Sequence, residues 1–230
     1  MIKKLSIIIP VFNEEATLEK ILKRVSQAPV LGYQKEIIVI NDGSTDKTNE
    51  ILNNLEKKLN LIVLKHKRNY GKGKALQTGF KKISGQAVIV QDADLEYNPQ
   101  DYRKLLDVFE KTGLTVYGSR NINPTRKGYF HFVLGVWFLT KVNNLLFGSH
   151  LTDLYTGYKL FPTNLIKSIS LSSQGFEVEA EITAKILKKG NKIKETTISY
   201  KPRKFNEGKK IKPRDGLRGL WTILKYRFKD

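Results

Sequence analysis

The sequence predicts an α/β fold built on a mostly parallel, doubly wound sheet. Apolar runs too continuous for a strand with one wet face recur at residues 5–11, 36–40, 61–64 and 87–90. Segments with helical apolar spacing separate them, which is the alternation of a right-handed α/β sheet. In such sheets ligands bind beyond the carboxyl ends of the strands. Three uncommon sequences fall there: Pro10-Val11-Phe12-Asn13-Glu14, Asn41-Asp42-Gly43-Ser44 and Asp92-Ala93-Asp94. Their shared position argues for one site more strongly than any of them alone.

Each element has its own signal. After the first strand, Ala16, Leu18, Ile21, Leu22 and Val25 have helical spacing. The second strand ends in Asn41-Asp42-Gly43-Ser44-Thr45-Asp46, where Ser44 or Thr45 is expected to cap a helix carrying Ile51, Leu52, Leu55 and Leu59 inward. The third strand leads through Asn69-Tyr70-Gly71-Lys72-Gly73-Lys74 into a helix with Ala75, Leu76 and Phe80. That glycine-rich stretch has the spacing of neither a Walker A loop nor a dinucleotide fingerprint. It brings either amides or a lysine near a phosphate at a helix start, or forms a plain turn. A fifth strand is expected at 114–118, ending in Ser119-Arg120. The most apolar stretch, 129–139, follows Arg126 and Lys127; it is read as a core helix or an interfacial one, with one face free to serve each role. A helix from Phe176 through Leu187 places Glu177 and Glu181 on one face, with a solvated face expected for most of its acids. Residues 193–200 suggest a strand, 201–214 a mobile basic loop, and 215–230 a basic amphipathic helix suited to a membrane surface.

Composition narrows the function classes. At 230 residues the chain can bury a substantial core, and without cysteine it has neither disulfides nor thiolate metal sites. His66, His131 and His150 are scattered and suggest no zinc cluster. The net charge of +19 favours polyanions: nucleic acid, anionic lipid or phosphorylated substrates. Nothing resembles a groove-reading motif, so no nucleic-acid partner is expected. The apolar N-terminal run is short, contains Pro10 and meets Asn13-Glu14-Glu15, as a first strand would and a signal peptide would not. No apolar run reaches the ~18–20 residues of a transmembrane helix. A cytoplasmic protein, peripheral on the cytoplasmic face of a membrane, is expected.

The acidic stretch 91–96 is where chemistry is expected. Side chains alternate in extended chain, so Asp92, Asp94 and Glu96 can point the same way. Converging carboxylates repel unless a cation lies between them, and a hard ion such as Mg²⁺ or Mn²⁺ fits. A solvated acidic turn is the alternative.

These motifs, with Gly118-Ser119-Arg120, Asp153-Leu154-Tyr155-Thr156-Gly157-Tyr158-Lys159-Leu160 and the late Arg203, occur in an order and spacing that resembles glycosyltransferase family 2. Within it the chain is most similar to the polyprenyl-phosphate (dolichol-phosphate) glycosyltransferases, the mannose synthases among them. The resemblance implies a GT-A fold over residues 1–200, with a nucleotide-sugar half at 1–98 and an acceptor half at 99–200. It implies inverting transfer of a sugar from a donor of GDP-mannose or UDP-glucose type to a polyprenyl or dolichyl phosphate, with Mg²⁺ or Mn²⁺ and, where needed, a membrane-anchoring subunit. By the same resemblance Pro10, Phe12 and Glu14 border the nucleoside, while Val39 and Asn41 meet the base, with Asp42 in the same set. Asp92, Ala93 and Asp94 hold the diphosphate and its metal, and Glu96 stands where the mannose synthases typically place a metal-associated glutamine. Arg120, Arg203 and Lys209 contact donor or acceptor phosphates. The mannose synthases usually carry aspartate where this chain has Asn41, and the tract from Asp153 to Leu160 is closer to a glucosyl-type or generic bacterial pattern; the donor therefore stays open. A phosphate acceptor needs no strong base, being largely a dianion near neutral pH. A hydroxyl acceptor, the other enzymatic reading, needs one, and Asp153 or Glu177 is the candidate.

Overall fold

The computed structural model describes residues 3–122, 130–203 and 213–229. Its centre is a seven-stranded sheet in the order β3-β2-β1-β4-β6-β5-β7. The strands are β1 (Lys4–Val11), β2 (Gln34–Asn41), β3 (Leu61–Lys65), β4 (Ala87–Val90), β5 (Thr115–Ser119), β6 (Lys159–Pro162) and β7 (Ile193–Thr197). Only β6 runs antiparallel, to β4 on one side and β5 on the other. The sheet is therefore mostly parallel, as expected, and it passes through both expected halves of the chain.

Helices cover both faces, which is why β1 and β4 are apolar at nearly every position. The helices are α1 (Leu18–Gln27), α2 (Thr48–Leu55), α3 (Lys72–Phe80), α4 (Tyr102–Thr112), α5 (Phe130–Phe147), α6 (Thr163–Lys167), α7 (Val178–Lys188) and α8 (Pro213–Phe228). One apolar core joins Ile7, Ile9 and Val39 to Leu22 of α1, Leu52 of α2 and Leu105 of α4. The other joins Ile8 and Val90 to Leu76 of α3, Leu139 of α5, Ile182 of α7 and Ile223 of α8.

Several expectations are corrected. Neither Ser44 nor Thr45 caps α2. Asp46 accepts from the Thr48 amide at 3.0 Å, while Ser44 Oγ accepts from the Asn13 amide at 3.0 Å and the Thr45 amide donates to Asn13 Oδ1 at 2.8 Å. These two residues thus knit the first two strand ends together. The acids of α7 are not solvated: Glu179 and Glu181 are buried, because Lys159 of β6 meets Glu179 and Lys185, one turn on in the same helix, meets Glu181. Part of the expected basic loop is fixed, since the Lys201 amide donates to Glu96 O at 2.9 Å. The rest, with Lys209, lies outside the described residues. The C-terminal helix packs on α7 and α5 through Ile223 and Tyr226 and leaves Leu217, Trp221 and Phe228 exposed. On α5, Leu139 and Thr140 turn inward, while Leu134, Trp137 and Phe138 face out. No described helix is long and apolar enough to cross a membrane.

Candidate active site

Because β2, β1 and β4 are adjacent and parallel, their carboxyl ends bring the three motifs side by side. After β1, Asn13 takes a left-handed backbone (φ 49°), and the Glu14 amide donates to Thr48 Oγ1 at 3.1 Å. Glu14 is thereby fixed, nearly buried, facing the end of β4. After β4, Leu95 turns left-handed (φ 61°) and the Glu96 amide donates to Asp94 Oδ1 at 3.1 Å. This turn presents Asp92 and Asp94, whose side chains keep 19% and 23% of their surface exposed.

Arg203 closes the site from the far end of the chain. Its Nη2 donates to both oxygens of Glu14 at 2.8 and 2.9 Å and lies 3.5 Å from Asp94 Oδ2, while its Nε donates to Asp94 O at 3.2 Å. Glu96, expected on the metal, is engaged elsewhere. It accepts from Tyr200 OH at 2.9 Å and from the Arg203 amide at 2.7 Å, so it anchors the segment that carries Arg203.

Asp92 has a different partner, Lys72 at the start of α3, at 2.6 Å. Lys72 also lies 3.0 Å from Glu179, and Glu179 is in turn bonded to the fully buried Lys159. Burial alone would pull the Lys72 ammonium down; Asp92 and Glu179 outweigh it and hold the ammonium up. Burial likewise penalises ionised Glu179, yet Lys159 and Lys72 bring its carboxyl down to about 2. Asp92, Lys72, Glu179 and Lys159 thus form a continuous chain of alternating acid and base, at whose buried end desolvation pulls the Lys159 ammonium down. The backbone beneath it is equally constrained, for a Cβ on Gly157 would stand 2.1 Å from Asp92 Oδ2. Only glycine lets that loop pass under the aspartate.

Other expected residues have structural work. Asp42 is buried and accepts from the Tyr70 and Gly71 amides, at 3.1 and 2.7 Å, with His66 Nδ1 at 2.6 Å. It shapes the glycine-rich turn. The Lys74 amide donates to Gln174 O, so these amides do not form an open phosphate cradle. Asn41 is buried, bonded to the Ser44 amide and to Asn49. Val39 and Ala93 lie in the core, and Pro10 and Phe12 are half-buried at the rim. Arg120 is clamped by Asp153, donating through Nε at 2.6 Å, Nη2 at 2.7 Å and its amide at 3.1 Å, and it lies on the Tyr200 ring. Asp153 is fully buried, and its amide donates to Glu195 at 3.1 Å. Glu177 accepts from the Gly175 amide at 3.1 Å, and its Oε2 is buried with no hydrogen-bond partner among the described residues.

Among the described residues no three acidic or histidine side chains gather at one point. Asp92 and Asp94 still suit Mg²⁺ or Mn²⁺: they are hard oxygen donors on one turn, each partly exposed, with Arg203 and its partner Glu14 beside Asp94. Two protein carboxylates, with phosphate oxygens or water for the remainder, is a usual way to hold these ions. The sequence reading missed Lys72 as the partner of Asp92, and Glu179 behind it. Its one trace was the lysine between two glycines.

The family model described as glycosyl transferase family 2 matches residues 6–169. A dolichol-phosphate mannosyltransferase from Pyrococcus furiosus is 27% identical over 97% of this chain, which spans 64% of that protein's length. An uncharacterized protein of Methanocaldococcus jannaschii is 33% identical over 84% of the chain and 79% of its own length. An undecaprenyl-phosphate 4-deoxy-4-formamido-L-arabinose transferase from Yersinia enterocolitica is 39% identical, over 51% of the chain and 37% of that protein. Among solved structures, glucosyl-3-phosphoglycerate synthase from Mycobacterium tuberculosis, in complex with Mn²⁺, UDP and phosphoglyceric acid, superposes with a TM-score of 0.75 at 20% identity. It covers 99% of this chain and 80% of that one. The fold is the GT-A fold, and the chain belongs to glycosyl transferase family 2.

Proposed function

We propose that this protein transfers one sugar, with inversion, from a nucleotide sugar of GDP-mannose or UDP-glucose type to a polyprenyl or dolichyl phosphate. The observation that carries the reading is that Arg203 ties Glu14, after β1, to Asp94, which follows Asp92 on the turn at the end of the adjacent strand β4. Asp92 and Asp94 would hold Mg²⁺ or Mn²⁺, which when bound neutralises charge on the departing diphosphate. Glu14 borders the nucleoside. Arg203 offers a planar fork to phosphate oxygens once it leaves its carboxylates, a geometry lysine does not reproduce. Of the two bases that a hydroxyl acceptor could use, Asp153 or Glu177, Asp153 is enclosed and bonded to Arg120, which supports an acceptor that does not need Asp153 as a base. Relatives named for dolichol-phosphate and undecaprenyl-phosphate transfer support the same acceptor class.

The test is release of nucleoside diphosphate from a panel of GDP- and UDP-sugars, with polyprenyl phosphate in anionic liposomes. One donor is expected to turn over, dependent on both the lipid phosphate and Mn²⁺ or Mg²⁺. Equal release with unphosphorylated polyprenol would overturn the reading.

A lipid acceptor requires access to a membrane surface, and α5 and α8 offer one. Trp137 is 52% and Trp221 68% exposed; Leu134 and Phe138 on α5 and Leu217 on α8 are exposed too, as are Lys141, Arg218 and Lys225, all within four residues of one of the two rings in sequence. Exposed aromatics flanked by cations suit the headgroup boundary of an anionic bilayer. Replacing Trp137 and Trp221 together by serine is expected to lower flotation with phosphatidylglycerol vesicles about tenfold. Both rings face out, so the melting temperature should hold. Unchanged flotation would remove this face from the membrane contact.

A further inference from the structure

Each of the two aspartates read as the metal pair already faces a cation of the protein's own. Asp92 meets Lys72 at 2.6 Å, and Asp94 has Arg203 at 3.5 Å. Lys72 cannot easily turn away. A Cβ on Gly71 would stand 2.5 Å from Gln174 O and one on Gly73 2.3 Å from Ser173 O, so the start of α3 is wedged beneath this loop. Gln77 Nε2 adds a bond to Ser173 O at 2.8 Å. Below, Glu179 holds the ammonium at 3.0 Å, and Glu179 is itself fixed by Lys159, which donates to Leu154 O at 3.0 Å. Only 11% of the Lys72 side chain is exposed.

A divalent ion reaching Asp92 must therefore enter beside a fixed ammonium, and like charges at close range inside a protein repel strongly. A diphosphate changes the balance. Its oxygens can face the metal, Lys72 and Arg203 together, so each cation keeps an anionic partner. We propose that Lys72 is a positioning residue that makes metal binding at Asp92 conditional on the donor's diphosphate, with Arg203 doing the same at Asp94. The proposal rests on Asp92 and Asp94 being the metal pair. Lys72 holds Asp92 in place while the donor is absent and supplies positive charge to the diphosphate when it arrives. Metal and nucleotide then tighten one another reciprocally, as linkage requires.

The experiment is Mn²⁺ binding followed by electron paramagnetic resonance of the free ion, without nucleotide and with GDP or UDP. The wild-type protein should bind Mn²⁺ roughly 30-fold more tightly when the matching diphosphate is present. Lys72→Met should bind bare Mn²⁺ about tenfold more tightly than wild type and lose most of the nucleotide effect, whereas Lys72→Arg should keep the wild-type pattern. A melting curve checks that Lys72→Met folds. Arg203→Met, at the rim of the site, is the second variant and should shift bare Mn²⁺ affinity in the same direction. If folded Lys72→Met binds bare Mn²⁺ no more tightly than wild type, the proposal is wrong; if it does not fold, an unchanged Arg203→Met decides likewise. If the wild-type protein binds no Mn²⁺ even with GDP and UDP, the metal pair itself falls, and this inference with it.

Discussion

Exchanging Asp94 for asparagine is expected to lower sugar transfer by about 10³-fold, roughly 4 kcal/mol of lost transition-state stabilisation. The melting temperature should stay within about 2 °C of wild type. The two halves of this expectation have separate grounds. Structurally, Asp94 contributes little that asparagine cannot replace: its Oδ1 accepts from the Glu96 amide at 3.1 Å, and an amide oxygen can do the same. The side chain is partly exposed, and Arg203 keeps its closer contacts with Glu14. Chemically, asparagine lacks the charge that binds a hard divalent ion and, through it, the leaving diphosphate. Steady-state turnover and a melting curve on the same preparation check both halves. Full activity in Asp94→Asn would refute the site, and equal loss of activity and stability would make Asp94 a structural residue.

What the sequence made legible follows from how many side chains each inference needed. Strands β1, β2 and β4 could be read because Ile7-Ile8-Ile9, Ile37-Ile38-Val39-Ile40 and Ala87-Val88-Ile89-Val90 are buried on both faces, so apolar continuity alone marks them. Strand β6 could not. It is four residues long, starts with Lys159 and ends with Pro162, and so carries no such run. Lys159 is tolerated there only because Glu179 reaches it from α7. The same pairing hid the burial of α7, where Glu177-Val178-Glu179-Ala180-Glu181 offers acids at every second position and no evident inward face. Glu179 goes inside because Lys72 and Lys159 arrive from other elements, and Glu181 because Lys185, one turn on in the same helix, and the Ser172 and Ser173 amides meet it. The site shows the same division. That three strand ends meet is a property of α/β topology and needs no side-chain detail. That Asp42 shapes a turn, that Glu96 anchors Arg203 and that Arg120 is locked to Asp153 are long-range pairings, and a single sequence does not display them.

The last of these pairings makes the second large effect a matter of stability. Arg120→Ala is expected to destabilise the protein by about 3–5 kcal/mol, because it leaves the buried Asp153 carboxylate without its counter-ion. For a chain of this size that corresponds to a fall in melting temperature on the order of 10 °C. The backbone amide of residue 120 still donates to Asp153 in the variant, but two charge-assisted bonds, at 2.6 and 2.7 Å, are gone. The Tyr200 ring also loses the cation lying on it. Arg120→Lys keeps a charge without the fork and should fall between the two. Because Asp153 is held against Glu195 through its amide, and the Tyr200 hydroxyl is bonded to Glu96, loosening this pair should also relax the segment that presents Arg203, so transfer should fall with stability. Melting curves and turnover of the two variants separate this account from a direct role on phosphate. If Arg120→Lys lost transfer by orders of magnitude at an unchanged melting temperature, Arg120 would be a phosphate-binding residue that exchanges Asp153 for its ligand.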